Sequence, residues 1–208
     1  MPKSGSAARV AYPQQDLDDS PVPDGVLAER ARRRSGAAFA TLVARHGDAV
    51  YTIARNMCAT LGDAEAVLQQ TFLAAWYELP RFPAGARFTT WLYGIAMRTA
   101  LAHRQRERRP SCSLEPFLPA FDRAGHLVVR KEHGPQLDGS SSERIEVTGL
   151  LHEALECMDD QACAAFVLHD LLELKVEEAA AILDTSPRAV RRDAHRSHLM
   201  LRGFVDQL

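Results

Sequence analysis

Apolar residues recur at steps of three and four through most of residues 26–109, a spacing that predicts amphipathic α-helices. The most regular stretch places these residues on one face: Ala64, Val67, Leu68, Thr71, Phe72, Ala75, Trp76 and Leu79. We expect Asp63 to cap this helix and Pro80 to end it, because proline cannot continue the helical hydrogen-bond ladder. A further helix, capped by Thr89 or Thr90, runs into a basic segment.

The helical spacing is interrupted once along the chain. Residues 111–146 contain three prolines and five serines without a sustained period, so we expect a flexible linker there. Residues 1–23 also lack a period and read as a flexible tail. The predicted fold class is therefore all-α, with two small helical modules: a bundle of three or four helices in residues 24–110 and a helix-turn-helix unit in residues 147–208.

Charge is distributed unevenly. The 25 basic and 27 acidic residues give a net charge of −2, so the chain as a whole is not a polycation. Residues 81–109, however, hold seven arginines against one acid, and residues 186–202 hold five against one. Residues 111–160 hold ten acids against four basic residues. Two cationic segments separated by an acidic one indicate a polyanionic partner.

The C-terminal segment has the pattern of a helix-turn-helix. Ser186 is suited to cap the last helix and Pro187 to occupy its first position, where a missing N–H costs nothing. On a helical wheel the inner side carries Val190, Ala194, Ser197 and Leu201. The opposite side carries Arg188, Arg191, Arg192 and His195, with Arg196 at its margin. Such a stripe suits the major groove of DNA, although a charged helix face can also be ordinary solvated surface.

Two segments of the first module carry a more specific resemblance. Residues 63–82 read DAEAVLQQTFLAAWYELPRF, and residues 88–109 read FTTWLYGIAMRTALAHRQRERR. They resemble region 2 of bacterial sigma factors of the sigma-70 family, within the extracytoplasmic-function (ECF) group. The C-terminal VEEAAAILDTSPRAVRRDAHRSHLMLR resembles region 4 of the same family. The resemblance covers about residues 24–109 and 147–205, in the order that the family has.

The resemblance implies a non-enzymatic subunit that binds core RNA polymerase and directs initiation at promoters. The residues implied in polymerase binding are Glu65, Gln69, Gln70 and Leu73. Those implied in capture of the melted −10 strand are Tyr93, Arg98, His103, Arg104, Arg106, Arg108 and Arg109. The stripe of the last helix corresponds to the element that reads the −35 duplex. An anti-sigma factor covering both modules could hold such a protein inactive, and nothing in the chain identifies one.

Several positions depart from the family pattern. Ala66 stands where the family usually has an acid in the polymerase-docking helix, and Arg98 stands where an asparagine often forms the −10 pocket. Asp193 stands where a basic residue is common in the recognition helix. These departures bear on the promoter sequence that is read and on the affinity for polymerase.

Other function classes lack sequence support. The chain contains no GxxxxGK[ST], GxSxG or HExxH motif. The set His152, Cys157, Cys163 and His169 does not have the spacing of a closed zinc site. We therefore expect no catalytic centre, metal or cofactor. No apolar run approaches the ~20 residues of a membrane span, so we expect a cytoplasmic protein without membrane insertion.

One alternative remains open at this point. A helix-turn-helix transcriptional regulator with an N-terminal sensor or dimerisation module, not bound to polymerase, would have a similar C-terminal half. The segment from Trp91 to Arg109 favours the sigma factor, because a simple repressor does not need it. Stoichiometric co-purification with core polymerase would distinguish the two.

Overall fold

The computed structural model describes residues 22–83, 85–107, 149 and 151–205. The predicted linker and nearly all of the predicted tail lie outside these residues. Within the described ranges all regular secondary structure is helical. The predicted all-α class is confirmed.

The first module is a bundle of four helices. They are α1 (Asp24–Arg32), α2 (Gly36–Met57), α3 (Leu61–Glu78) and α4 (Phe88–Arg106). Helix α3 ends in a 3-10 turn, Leu79–Arg81, where the prolines interrupt the ladder. Helix α2 packs against α1, α3 and α4, and the fully buried side chains Leu42, Val50 and Leu92 belong to the core between them.

Two predicted helix starts are wrong. The N-cap of α3 is Thr60, whose hydroxyl oxygen accepts from the Asp63 N–H at 3.1 Å. Asp63 lies three residues into the helix, and the Thr60 hydroxyl donates to its carboxylate at 2.6 Å. This bond holds the pKa of Asp63 below its ordinary value. Helix α4 begins at Phe88 without a side-chain cap, because packing of that ring in the core sets its start.

The second module contains four helices within the described part of the chain. They are α5 (residues 151–157), α6 (Asp160–Phe166), α7 (Val176–Ile182) and α8 (Pro187–Val205). Helix α6 continues into a π-helical turn, Val167–Leu171, and packs against α8. The predicted cap of α8 is confirmed, because the Ala189 N–H donates to Ser186 Oγ at 3.2 Å.

The two modules are in direct contact. Their buried residues form one continuous core, in which Cys163 Sγ of α6 lies 3.5 Å from Met57 Sδ of α2. Helix α4 also faces α7 closely: a Cβ added to Gly94 would lie 3.9 Å from the carbonyl oxygen of Ile182. The sequence predicted two modules on a linker and gave no sign of this contact. We call it the closed arrangement.

Candidate nucleic-acid interface

Helix α8 separates its residues as the helical wheel predicts. Val190 and Ser197 have no exposed surface and Ala194 is 4% exposed, because this side packs against the preceding helices. The predicted cations all lie on the exposed side: Arg188, Arg191, Arg192, His195 and Arg196. The helix-turn-helix thus presents a cationic stripe, of a width and charge that suit a DNA groove.

Acidic side chains lie beside several of these arginines. Arg191 pairs with Glu177 of α7 at 3.2 Å, and Arg196 pairs with Asp159 at 3.1 Å. Arg192 is held by Asp193 of its own helix at 2.8 Å. The Arg191–Glu177 pair is well exposed, so solvent screens it and it restrains Arg191 weakly.

Helix α4 is arranged differently. Tyr93 is 8% exposed, and its ring lies in the core with its centroid 6.1 Å from that of His46. Burial raises the pKa of its phenol. In the closed arrangement Tyr93 is therefore not available as a stacking surface for a base. The family resemblance did not indicate this burial, which follows from α4 being buried on every side from Leu92 to Met97.

Arg104 lies at the junction of the two modules. Its side chain is 12% exposed, and its Nε donates to Asp160 Oδ1 at 3.0 Å. Its Nη2 donates to the carbonyl oxygens of Leu155 and Met158, each at 2.8 Å. The C-terminal carbonyls of α5 and the first carboxylate of α6 thus enclose the guanidinium. In the closed arrangement the second module occupies the Nε and Nη2 donors of Arg104.

The remaining predicted −10 residues are placed as follows. Arg98 is exposed and pairs with Glu78 at 3.4 Å, and His103 lies 3.2 Å from Asp63. Arg106 is exposed at the end of α4. Arg108 and Arg109 lie outside the described residues. Among the five of these residues that the structure describes, Tyr93 and Arg104 are covered in the closed arrangement, so the five do not share one accessible face.

The predicted polymerase contacts lie along one exposed strip of α3. Glu65, Gln69 and Gln70 are exposed, and Leu73 is 58% exposed. Beside this strip an apolar groove of about 520 Å³ opens between α2 and α3, lined by Gly36, Phe39, Gln69, Phe72, Leu73 and Trp76. The sequence placed Phe72 and Trp76 on the apolar face of this helix, but both are only half-buried and form the groove wall. The sequence did contain one indication of the groove: Gln69, Phe72, Leu73 and Trp76 recur at helical spacing, which places a polar residue beside the apolar ones.

No cluster of described residues has the composition of a metal site. Burial raises the pKa values of the Cys58 and Cys163 thiols to about 11, so both are poor nucleophiles at neutral pH. Among the helices that the structure describes, none is long and apolar enough to cross a bilayer.

Comparisons with known proteins agree with this geometry. The sigma-70 region 2 family matches residues 42–110, and the sigma-70 region 4 family matches residues 148–199. The ECF RNA polymerase sigma-E factor of Escherichia coli K12 is 30% identical over 190 residues, which cover 90% of this chain and 96% of the relative. This chain belongs to the ECF sigma factors. It is a polymerase-binding factor that directs promoter-specific transcription, and sigma factors are regulatory proteins rather than catalysts.

Two further comparisons concern one relative. The sigma factor CnrH of Cupriavidus metallidurans is 29% identical over 188 residues, covering 88% of this chain and 94% of the relative. The structure of CnrH in complex with the cytosolic domain of CnrY superposes with a TM-score of 0.66 at 27% identity, over 88% of this chain and 97% of that chain. Because both modules are included in these matches, a helix-turn-helix regulator with an unrelated N-terminal half is set aside.

Proposed function

We propose that the sigma factor divides promoter recognition between its two modules. Helix α8 reads the −35 element as duplex through Arg188, Arg191, Arg192, His195 and Arg196. The end of α4 tracks the melted −10 strand, with Arg98, His103, Arg104, Arg106, Arg108 and Arg109 as its cations. The exposed arginine stripe on a capped helix-turn-helix is the observation that carries this proposal. Tyr93 can join the −10 site only if it leaves the core.

Simultaneous recognition requires the modules to separate. The −35 and −10 elements lie about 25 base pairs apart, or about 85 Å at 3.4 Å per base pair. A folded chain of 208 residues has an expected diameter of only about 45 Å. Residues 111–146 are long enough to span up to about 120 Å when extended. We infer that the closed arrangement is a resting form, and that separation frees Arg104 for DNA.

The groove between α2 and α3 is the surface that we assign to polymerase. Its rim offers Glu65, Gln69 and Gln70 for polar contacts, and Leu73, Trp76 and Phe39 supply apolar surface. The guanidinium of Arg34 lies 5.5 Å from the Trp76 ring centroid and adds a cation at one side. A mixed surface of this kind suits a helix with an apolar stripe and charged flanks.

Three further parts of the proposal concern partners and setting. The factor acts in the cytoplasm, where its polymerase and promoters are, and it catalyses no reaction of its own. An anti-sigma factor stabilises the closed arrangement, by analogy with the relative whose structure contains the cytosolic domain of CnrY. No residue of this chain identifies the anti-sigma partner.

Transcription with purified components tests the proposal. Core polymerase, the full chain and fragmented genomic DNA are combined, and the start sites that depend on the chain are mapped. We expect these sites to share one sequence element near −10 and another near −35. Start sites without a shared upstream element would contradict the role of α8, and no dependence on the chain would contradict the proposal as a whole.

A further inference from the structure

A buried carboxylate holds one of the outward arginines of α8. The Nε of Arg192 donates to Asp193 Oδ1 at 2.8 Å, and its Nη2 donates to Oδ2 at 3.0 Å. The side chain of Arg192 is 72% exposed, whereas that of Asp193 is 11% exposed. The pair therefore joins the Asp193 carboxylate, which is fixed within the module, to the Arg192 guanidinium at the surface.

This pairing is unusual for neighbours on a helix. Adjacent side chains point about 100° apart, so Arg192 must bend along α8 to reach Asp193. Arg191 and Arg196 instead reach acids on other segments, and those acids are 64% and 36% exposed. The Arg192–Asp193 pair moves with α8 as a unit, so separation of the modules does not break it.

The bidentate pair determines which donors of Arg192 remain free. A guanidinium has five N–H groups in one plane, and the Asp193 carboxylate occupies the edge formed by Nε and Nη2. The end formed by Nη1 and Nη2 keeps N–H groups directed away from the carboxylate. Two such donors match the N7 and O6 acceptors that guanine presents in the major groove.

The charge of the pair favours a base over a phosphate. Attraction to phosphates depends on net positive charge and on counterion release. Asp193 neutralises Arg192, so the pair as a whole adds little to that attraction. Hydrogen bonding to a base edge depends on orientation instead, and two bonds to a buried carboxylate supply that orientation.

We propose that Asp193 is a positioning residue for base readout, which fixes Arg192 so that its free end binds a guanine of the upstream promoter element. This inference rests on the proposed entry of α8 into the −35 duplex. It also gives a role to the acid found where the family commonly has a basic residue. Asp193 restricts what Arg192 can bind and sharpens the sequence that α8 selects.

Asp193→Asn separates this role from a structural one. The amide cannot hold the guanidinium as the carboxylate does, so we expect preference for guanine at one base pair to fall about 10-fold, within the range of a bidentate contact. The freed charge of Arg192 should raise affinity for duplexes that lack the element. It should also steepen the dependence of log K on log salt by about 0.9. A purely structural role would lower binding to both kinds of duplex.

The experiment uses holoenzyme assembled from the full chain and core polymerase. A promoter library randomised at the −35 positions is selected for binding, and wild type, Asp193→Asn, Arg192→Lys and Arg191→Ala are compared. We expect wild type to enrich guanine at one position, and Asp193→Asn and Arg192→Lys to lose that preference there alone. Arg192→Lys keeps the charge without the planar fork, and it reports the same contact if Asp193→Asn does not fold. Arg191→Ala is the matched control: it should weaken binding of the duplex as a whole while leaving the guanine preference at this position unchanged.

Two results would overturn the inference. Undiminished guanine preference in Asp193→Asn, or equal losses of specific and non-specific binding in both Asp193→Asn and Arg192→Lys, would show that the carboxylate does not position Arg192 for a base. Wild-type holoenzyme with no sequence preference at the −35 positions would contradict the proposed function of α8 itself. The two failures are therefore distinguishable in one selection.

Discussion

The end of α4 and the outer face of α8 are both rich in arginine, yet these arginines differ in their exposure to solvent and in the partners that they contact. Arg104 of α4 is 12% exposed and is enclosed by carbonyls and a carboxylate of the second module. Arg191 and Arg192 of α8 have side chains 63% and 72% exposed and pair with acids of their own module. A similar local composition therefore yields one sequestered cation and one accessible stripe.

The difference corresponds to the order in which DNA would be engaged. An exposed stripe on α8 can meet duplex DNA without any rearrangement of the chain. Arg104 can meet DNA only after the second module has moved away. With the roles proposed for α8 and α4, a closed factor would be able to bind duplex DNA while Arg104 stays covered. Covering Arg104 would reduce unproductive binding of single strands by the free protein.

Breaking the contact of Arg104 should have the largest effect. Arg104→Ala removes four hydrogen bonds across the junction and leaves Asp160 without its cation, so we expect the closed arrangement to lose about 3 kcal/mol. The distance between dyes introduced through unnatural amino acids at Ala44 and Thr185, both exposed, would report opening.

Two further variants make that result specific. Arg106→Ala removes an exposed arginine of the same helix and should leave the distance unchanged. Asp160→Asn should open the modules while keeping Arg104 for DNA, so it should increase binding of a −10 single strand. An unchanged distance in both Arg104→Ala and Asp160→Asn would contradict the account of the junction.

Substitutions in the exposed arginine stripe of α8 test whether this accessible surface binds DNA. Replacing Arg191 or Arg192 by alanine should weaken −35 duplex binding by roughly 1–3 kcal/mol wherever the arginine contacts a base. Transcription by reconstituted holoenzyme from its mapped promoter measures the loss, and a promoter without a −35 match serves as control. Full activity of the double variant would reject the assignment of α8.

A third prediction concerns melting at the other cationic region. Neutralising Arg104, Arg106 and Arg108 together should reduce open-complex formation. It should also flatten the salt dependence by up to about 2, since each contact with a single strand contributes about 0.7. Permanganate footprinting of the −10 thymines follows the melted strand. Intact melting with an unchanged salt slope would exclude these arginines from the −10 site.

Acidification should weaken the junction by a smaller amount. His152 of α5 contacts Arg55 of α2, and burial, followed by the charge of Arg55, lowers the pKa of the imidazole. Once the modules separate, His152 takes up a proton near pH 6.5. Closure should therefore weaken as the pH falls through about 6.5 and stop changing below the lowered pKa. The dye distance between pH 7.5 and 5.5 measures this, and His152→Gln should abolish the pH dependence at that site.

The sequence predicted local structure well where one helix face decides the outcome. Ser186, Pro187 and the Val190 side of α8 lie as expected, because caps and amphipathic spacing act over a few residues. The burial of Tyr93 was not predicted, because α4 is buried on every side at that point and has no solvent-exposed face that helical spacing could identify. Sequence patterns are therefore most informative for helices that have one buried face and one solvent-exposed face.

The contacts of Arg104 could not be predicted from the sequence pattern around it. Its partners Leu155, Met158 and Asp160 lie more than fifty residues further along the chain and include two main-chain carbonyls, which carry no sequence signal. The groove beside α3 was missed for a related reason: Phe72 and Trp76 have the periodicity of core residues whether or not a neighbouring helix covers them.

The separation of the two modules on a promoter can be measured as the distance between Ala44 and Thr185. Dyes at these positions would be followed in the free chain and in a complex of holoenzyme with promoter DNA. We expect a short distance in the free chain and a distance longer by tens of ångströms on the promoter, because the two elements lie about 85 Å apart. An equally short distance in an active promoter complex would contradict it.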